Sequence, residues 1–375
     1  RTRESLDLIP ITIPDNCIVE EIKLDEKYVI KSKEYLVDKL KPYEDVIDEK
    51  WQCSTDDGLC GEWEIGRVVL YMFSGGYYMG SSKSSRNFTC KIAENAECSV
   101  FALNYHLSPE HQFLVPLCDA LAAAGGGLAV ATALLIRDIG LLPPAGLVLW
   151  APWVDLTNSM PSYWNPEMDK TDWVVRALNT RKLGPSSSLS KEYYERAKNL
   201  ADKIEQKKPN VVCHPSFTKV PRFKLYCANE ALAIPYVSPM LAESLGNLPP
   251  ILCQVGSGER FLDQDILFSF RASDPNNYQL PKYATMNFPN SPFKKPTKVT
   301  LEVYDGTCHC FQQEHTINKN IPNETGSTAS QETLKTIKTI AINPNCEIRD
   351  LDGNFLECLS WENIGIVPEL MVDNM

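Results

Sequence analysis

Residues 118–135 read CDALAAAGGGLAVATALL, and the fold class turns on what this stretch leaves out. It reads as one apolar helix running into another across Gly125, Gly126 and Gly127. Elsewhere strand and helix alternate. Short β-branched and apolar runs bounded by turn residues mark buried strands. They stand at 67–73 (RVVLYMF), 98–105 (CSVFALNY), 146–150 (GLVLW), 251–256 (ILCQVG) and 298–304 (KVTLEVY). Helical patterns lie at 83–95, 113–123, 127–138 and 262–272, and TLKTIKTIA (333–341) reads as a closing helix. This alternation predicts an α/β protein with a mostly parallel sheet and helices on both faces. IVEEIKL (18–24) and GEWEI (61–65) add an antiparallel edge pair. From Tyr105 to Gly146, however, two helices follow each other with no strand. A parallel neighbour needs a connection of about two to six residues and a strand of about five. Three glycines supply neither, so a central strand is expected to be missing.

At 375 residues the chain can bury one large core or two smaller ones. Its 43% hydrophobic and 23% charged residues are ordinary for a globular protein. A net charge of −11 argues against nucleic acid or an anionic membrane surface as the main partner. The 13 cysteines are scattered without a C-x-x-C pair, and Cys308-His309-Cys310 is poor zinc spacing. Free buried thiols in a reducing compartment are the expectation, with no metal and no cofactor. The sequons at Asn87 and Asn323 matter only for a secreted chain. The most apolar run, GLAVATALLI (127–136), is cut by Arg137-Asp138, so no integral membrane span is expected. A cytoplasmic location is favoured. Membrane association would require an anchor lost ahead of Arg1.

Residues 158–235 differ in character, being rich in proline, serine, aromatics and charge around a helical piece at 190–208. An insertion of that size between sheet strands reads as a cap over the carboxyl edge of the sheet, where open α/β folds bind ligands. A peripheral subdomain is the alternative.

VVLYMFSGGYYMGSS (68–82), followed by ALNYHLSPEHQFLVPLCDAL (102–121), resembles the hormone-sensitive-lipase-like branch of the α/β-hydrolases (α/β-hydrolase fold-3). LVLWAPWVDLT, YVSPML, LPPILCQVGSGERFLD and VYDGTCHCFQ continue the likeness in order as far as residue 312. The likeness is closest to fungal members related to steryl acetyl hydrolases. It implies an N-terminal cap or helical segment at 1–50 and the first part of the core at 51–157. A helical cap follows at 158–235, then the second part of the core at 236–342, with 343–375 a poorly specified tail.

In that branch a serine on a strand-to-helix turn attacks an ester carbonyl, a histidine takes its proton, and a carboxylate orients the histidine. The resemblance places the base at His309 and the acid at Glu259, with Asp263 as runner-up. Backbone N–H groups of Gly75, Gly76 and Ala124 would hold the oxyanion. Phe73 replaces the branch's histidine before those glycines, and Ser74 its first glycine. The nucleophile's place in Gly-Asp-Ser-Ala-Gly-Gly falls on Ala123, preceded by Ala122. No G-x-S-x-G motif occurs. Ser257 has flanking glycines at the wrong spacing, and Ser74 has glycine on one side only.

The resemblance thus implies a carboxylic ester hydrolase acting on acyl or acetyl esters, with a small-molecule ester or lipid-like substrate, whose nucleophile strand and serine are missing. The alternative is an inactive hydrolase-fold binder of an apolar ligand or partner. A lyase or transferase on the same scaffold has no specific support.

Overall fold

The computed structural model describes residues 13, 17–47, 59–63, 67–108, 110–123, 128–172, 174, 226–227, 231–277, 280, 290–309, 311–312, 346–349 and 355–358. The chain divides into two compact units. One takes in Arg1–Gly140, Leu183–Asn210 and Phe223–Ala231; the other takes in Leu141–Lys182, Val211–Arg222 and Leu232–Met375.

The first unit holds β1 (Glu20–Lys23), β2 (Cys60–Trp63), β3 (Arg67–Tyr71) and β4 (Cys98–Asn104), in the sheet order β1-β2-β4-β3. β1 pairs antiparallel with β2, as expected from IVEEIKL and GEWEI, and β2 pairs antiparallel with β4. β3 and β4 run parallel, with Val69 opposite Val100. Every residue of β4 but Asn104 is buried, which is why its sequence is a continuous apolar run rather than an alternating one. β3 closes the sheet and leaves Val68 60% exposed.

Helix starts in this unit are written in the sequence. The Asp25 carboxylate accepts the Lys27 N–H at the start of α1 (Glu26–Leu40). Ser81 and Ser84 form a reciprocal capping box ahead of α2 (Ser82–Ala96), each hydroxyl accepting the other's main-chain N–H. α2 packs against β4 with Phe88, Ile92 and Ala96 buried, a stripe spaced at i, i+4, i+8. α3 (Val115–Ala122) and α4 (Ala129–Asp138) then follow one another with no strand described between them. Ala129 through Ile136 are all buried, consistent with a helix apolar on every side.

The second unit carries β5 (Leu147–Trp150), β6 (Ile251–Gly256), β7 (Val299–Tyr304), β8 (Cys346–Arg349) and β9 (Phe355–Cys358), in that spatial order. All neighbours are parallel except β8 and β9. β6 and β7 are buried throughout. A short helix α5 (Pro161–Trp164) packs against α6 (Leu262–Ser273), which also packs on β6 and β7.

The five apolar runs form strands, and the four helical patterns between residues 83 and 272 form helices, with boundaries within about two residues of expectation. The mostly parallel sheet with packed helices is present. It is divided, however: among the described residues the strands make two sheets, one ending at β3 and the other at β5. The boundary between the compact units falls at Gly140, in the segment that has two helices where a strand was due. The tail from 343, read as poorly specified, contributes β8 and β9. Each is only four residues long, too short for periodicity to reveal. The helical pieces at 190–208 and 333–341 lie outside the described residues.

Cys17, Cys60, Cys90, Cys98, Cys118, Cys227, Cys253 and Cys308 are in no disulfide, and Cys90, Cys98, Cys118, Cys227 and Cys253 are buried. Burial pushes the Cys118 thiol up to about 12. No helix among the described residues is long and apolar enough to cross a membrane.

Leu103, fully buried on the inner strand β4, and Val68, exposed on β3, make a matched test of this layout. Leu103→Ala is expected to cost about 2–5 kcal/mol. Val68→Thr should stay within about 0.5 kcal/mol. Urea unfolding of the two variants measures both.

Candidate functional site

β6 and β7 lie side by side with Gly256 opposite Tyr304, so the loops that follow them leave the sheet at the same level. Neighbouring strands are about 4.8 Å apart, which keeps those loops adjacent. Gly256 sits where they touch: a Cβ there would stand 2.3 Å from the Thr307 carbonyl oxygen. Gly258 N–H donates to that same oxygen at 3.0 Å. Glu259, three residues past β6, and His309, five past β7, therefore meet.

The geometry of the pair is specific. Oε2 of Glu259 lies 2.8 Å from Nδ1 of His309, and Oε1 accepts the Gly256 N–H at 2.6 Å. Glu259 is fully buried and His309 nearly so. The Phe261 ring meets the imidazole edge-on, with centroids 4.9 Å apart, and Trp153 stacks on Phe261 at 5.7 Å. Burial pushes the Glu259 carboxyl above its ordinary 4.5, opposed by the bonds to His309 and to the Gly256 N–H. A carboxylate on Nδ1 fixes the imidazole's orientation and tautomer, leaving Nε2 as the proton-transferring nitrogen.

Asp263 is not at the histidine. Its Oδ2 accepts the Ser162 N–H at 2.6 Å, while the Ser162 hydroxyl accepts the Asp263 N–H at 3.1 Å. It stands in the first turn of α6 and its carboxylate holds the start of α5. Its carboxyl is raised by burial, opposed by the bonds from Ser162.

In the first unit Gly75 and Gly76 follow β3 in a tight turn, with φ of 136° and 59°. The Gly75 carbonyl accepts N–H groups from Tyr78 and Met79. A Cβ on Gly75 would stand 2.0 Å from the Met79 oxygen, so glycine is required there. Phe73, in place of the branch's histidine, is buried and stacks on Tyr105 at 4.4 Å. The Tyr105 hydroxyl donates to the Phe73 carbonyl at 2.9 Å. Ser108 braces the far side of the turn, donating from its N–H and its hydroxyl to the Tyr77 carbonyl.

Ala123 ends α3 rather than standing on a turn between strand and helix. Its φ and ψ are −84° and −4°, and its N–H donates to the Asp119 carbonyl at 3.0 Å. Ala124 lies outside the described residues, as do Gly125, Gly126 and Gly127. Sequence reading missed a second histidine–carboxylate pair: Asp119 accepts both the main-chain N–H and Nδ1 of His106 at 2.8 Å. A lone acid buried in the apolar helix LCDALA was the available signal. Among the described residues no group of three or more His, Cys, Asp or Glu is placed to hold a metal ion.

Known proteins resemble this chain in sequence and in fold. A sequence family described as the alpha/beta hydrolase fold matches residues 69–124. An acetyl-hydrolase of Streptomyces hygroscopicus is 35% identical over 111 residues, covering 24% of this chain and 37% of that protein. An esterase of Acinetobacter venetianus is 24% identical over 227 residues, covering 55% of this chain and 61% of that protein. The chain thus spans less than two thirds of either relative. The crystal structure of an esterase/lipase from an uncultured bacterium has a TM-score of 0.55 at 20% identity, covering 90% of this chain and 89% of that one. An esterase of the bacterial hormone-sensitive lipase family gives 0.54 at 22% identity, covering 90% of each chain. The fold is that of the α/β hydrolases, and the sequence resembles carboxylic ester hydrolases.

Two outcomes follow from the geometry. A carboxyl whose folded value lies above its unfolded value adds stability below the unfolded value, and that stability is lost as pH climbs through the folded value. Denaturant unfolding from pH 4 upward should show this loss in the wild type, and Glu259→Gln should lack it. Gly75→Ala should lower the unfolding midpoint, with a cost of about 1–3 kcal/mol from the forced φ alone.

Proposed function

We propose that this chain carries the acid, base and oxyanion groups of a carboxylic ester hydrolase of the hormone-sensitive-lipase-like branch but lacks its nucleophile. The observation carrying this reading is the buried contact of Glu259 with Nδ1 of His309, made by loops that follow adjacent parallel strands. His309 is the base and Glu259 the acid that orients it. Gly75 and Gly76, with Ala124, are the oxyanion donors. The substrate class is an acyl or acetyl ester of a small molecule. The acetyl-hydrolase relative supports the acetyl assignment and is bacterial, so kinship to fungal steryl acetyl hydrolases rests on motifs alone.

In the complete reaction a serine hydroxyl gives its proton to Nε2 and its oxygen to the carbonyl carbon, and the alcohol leaves with that proton as the ester bond breaks. Water then repeats the step on the acyl-enzyme, releasing the acid and the serine. Position 123 is alanine and no acyl-enzyme forms on it. Oxyanion and binding effects alone leave about three to four decades of acceleration over water. The division of the strands into two sheets at β3 and β5 agrees with a lost strand rather than a point change. Loss of its packing would strand apolar side chains at about 1.5–3 kcal/mol each. Two origins produce this: a degenerate copy, or a reading frame from which an exon or part of one is missing.

A second reading is a non-catalytic binder of an apolar ligand or partner. It is favoured by the use of the Ala123 N–H inside α3, which commits that residue to a helix end.

Assays with p-nitrophenyl acetate and butyrate decide between them. The expected outcome is slow hydrolysis without a burst of p-nitrophenolate, and no covalent labelling by phenylmethylsulfonyl fluoride. A stoichiometric burst abolished by His309→Ala would show that another nucleophile exists and overturn the proposal. Sequencing the message across codons 115–130 tests the missing-exon origin. An in-frame Gly-x-Ser-x-Gly between the codons for Ala122 and Gly125 would restore an esterase.

A further inference from the structure

Glu259 is held by more than its own side chain. Both peptide groups that bracket its α-carbon are bonded to one segment of the same unit. The Thr171 hydroxyl donates to the Gly258 carbonyl at 2.6 Å, and the Arg260 N–H donates to Oδ2 of Asp172 at 2.8 Å. The other oxygen of Asp172 accepts the Val174 N–H at 3.1 Å, which ties the carboxylate into its own segment.

The segment is in turn pinned by the residue next to the acid. Arg260 is 1% exposed. Its Nε donates to the Val174 carbonyl and one terminal nitrogen to the Tyr163 carbonyl, at 2.8 and 2.7 Å. The other terminal nitrogen bonds the Asp169 carboxylate. A buried guanidinium is costly, and a well-packed apolar side chain would often stabilise a core as well or better. What the guanidinium supplies is a planar set of donors in fixed directions, which neither lysine nor an apolar residue reproduces. Here those donors lock a loop around the backbone of the adjacent carboxylate.

We infer that residues 163–172, together with Val174, form a positioning strap for Glu259, and that Arg260, Asp172 and Thr171 are positioning residues acting on His309 through it. This rests on the reading of Glu259 and His309 as acid and base. Asp172 also faces Glu259 as a like charge and helps to raise its carboxyl, whereas His309 lowers it. Among the described residues the charged and titratable groups around the acid include His309, Asp172, Arg260 and the buried Cys253 thiol, with Asp169 beyond Arg260. Asp263 is turned to Ser162.

The test uses the full chain and needs no turnover. Its readouts are the low-field Nδ1 proton of His309 and the titration of the Glu259 carboxyl carbon, both by NMR. Arg260→Met should admit water to Glu259, move its titration down toward 4.5 and abolish the low-field proton. Asp172→Asn keeps an acceptor for the Arg260 N–H while removing a like charge. It should lower the Glu259 titration and leave the proton in place. A purely structural residue would give neither pattern. Thr171→Val changes no charge and decides the matter if Arg260→Met fails to fold. Loss of one hydrogen bond should speed exchange of the low-field proton about tenfold. A proton and a titration unchanged in every variant that folds would overturn the strap. Absence of the low-field proton from the unsubstituted protein would instead overturn the acid–base pairing of the preceding section.

Discussion

The register of β6 against β7 is the constraint on which the candidate site depends. Residues far apart in sequence, Glu259 and His309, meet because two parallel strands end level and their loops have no room to diverge. The tolerance is small. One position, Gly256, has a carbonyl where any side chain would begin. A one-residue slip would turn each inward side chain of β7 outward and carry the histidine away from the acid. The chemistry of the pair is thus a consequence of sheet geometry before it is a consequence of residue type.

Most of the architecture was legible because buried parallel strands are short, continuous apolar runs. CSVFALNY, ILCQVG and KVTLEVY carry that pattern, and the Ser81–Ser84 box marks its helix start without reference to anything distant. The choice of Glu259 over Asp263 rested on motif alignment, and the geometry places Glu259 at the histidine. What stayed hidden depends on long-range partners. Nothing near Arg260 announces that its guanidinium will be swallowed by carbonyls almost a hundred positions earlier. Asp119 within the apolar LCDALA signals that it needs a partner, but not that the partner is His106. β8 and β9 escaped because four residues with charges among them carry too little periodicity.

The break at 118–135 was legible as a rhythm that fails. Two apolar helices in succession are a statement about covalent length: no strand fits within three glycines, whatever the fold prefers. The structure answers with a helix end at Ala123 and with strands grouped into two sheets. Within each unit the remaining groups are ordered in detail. The turn at Gly75 is braced by Ser108, and the acid by a buried guanidinium.

β3 and β5 each close a sheet, and among the described residues neither has a neighbour on its outer side. A rim of main-chain donors and acceptors flanked by side chains such as Val68 and Leu70 is a template that any extended polypeptide can copy. The colloidal fate of this protein is therefore decided at the β3 edge, where Val68 stands exposed. Crowding and concentration act there first, long before they reach the tightly filled interior around Leu103 and Cys253.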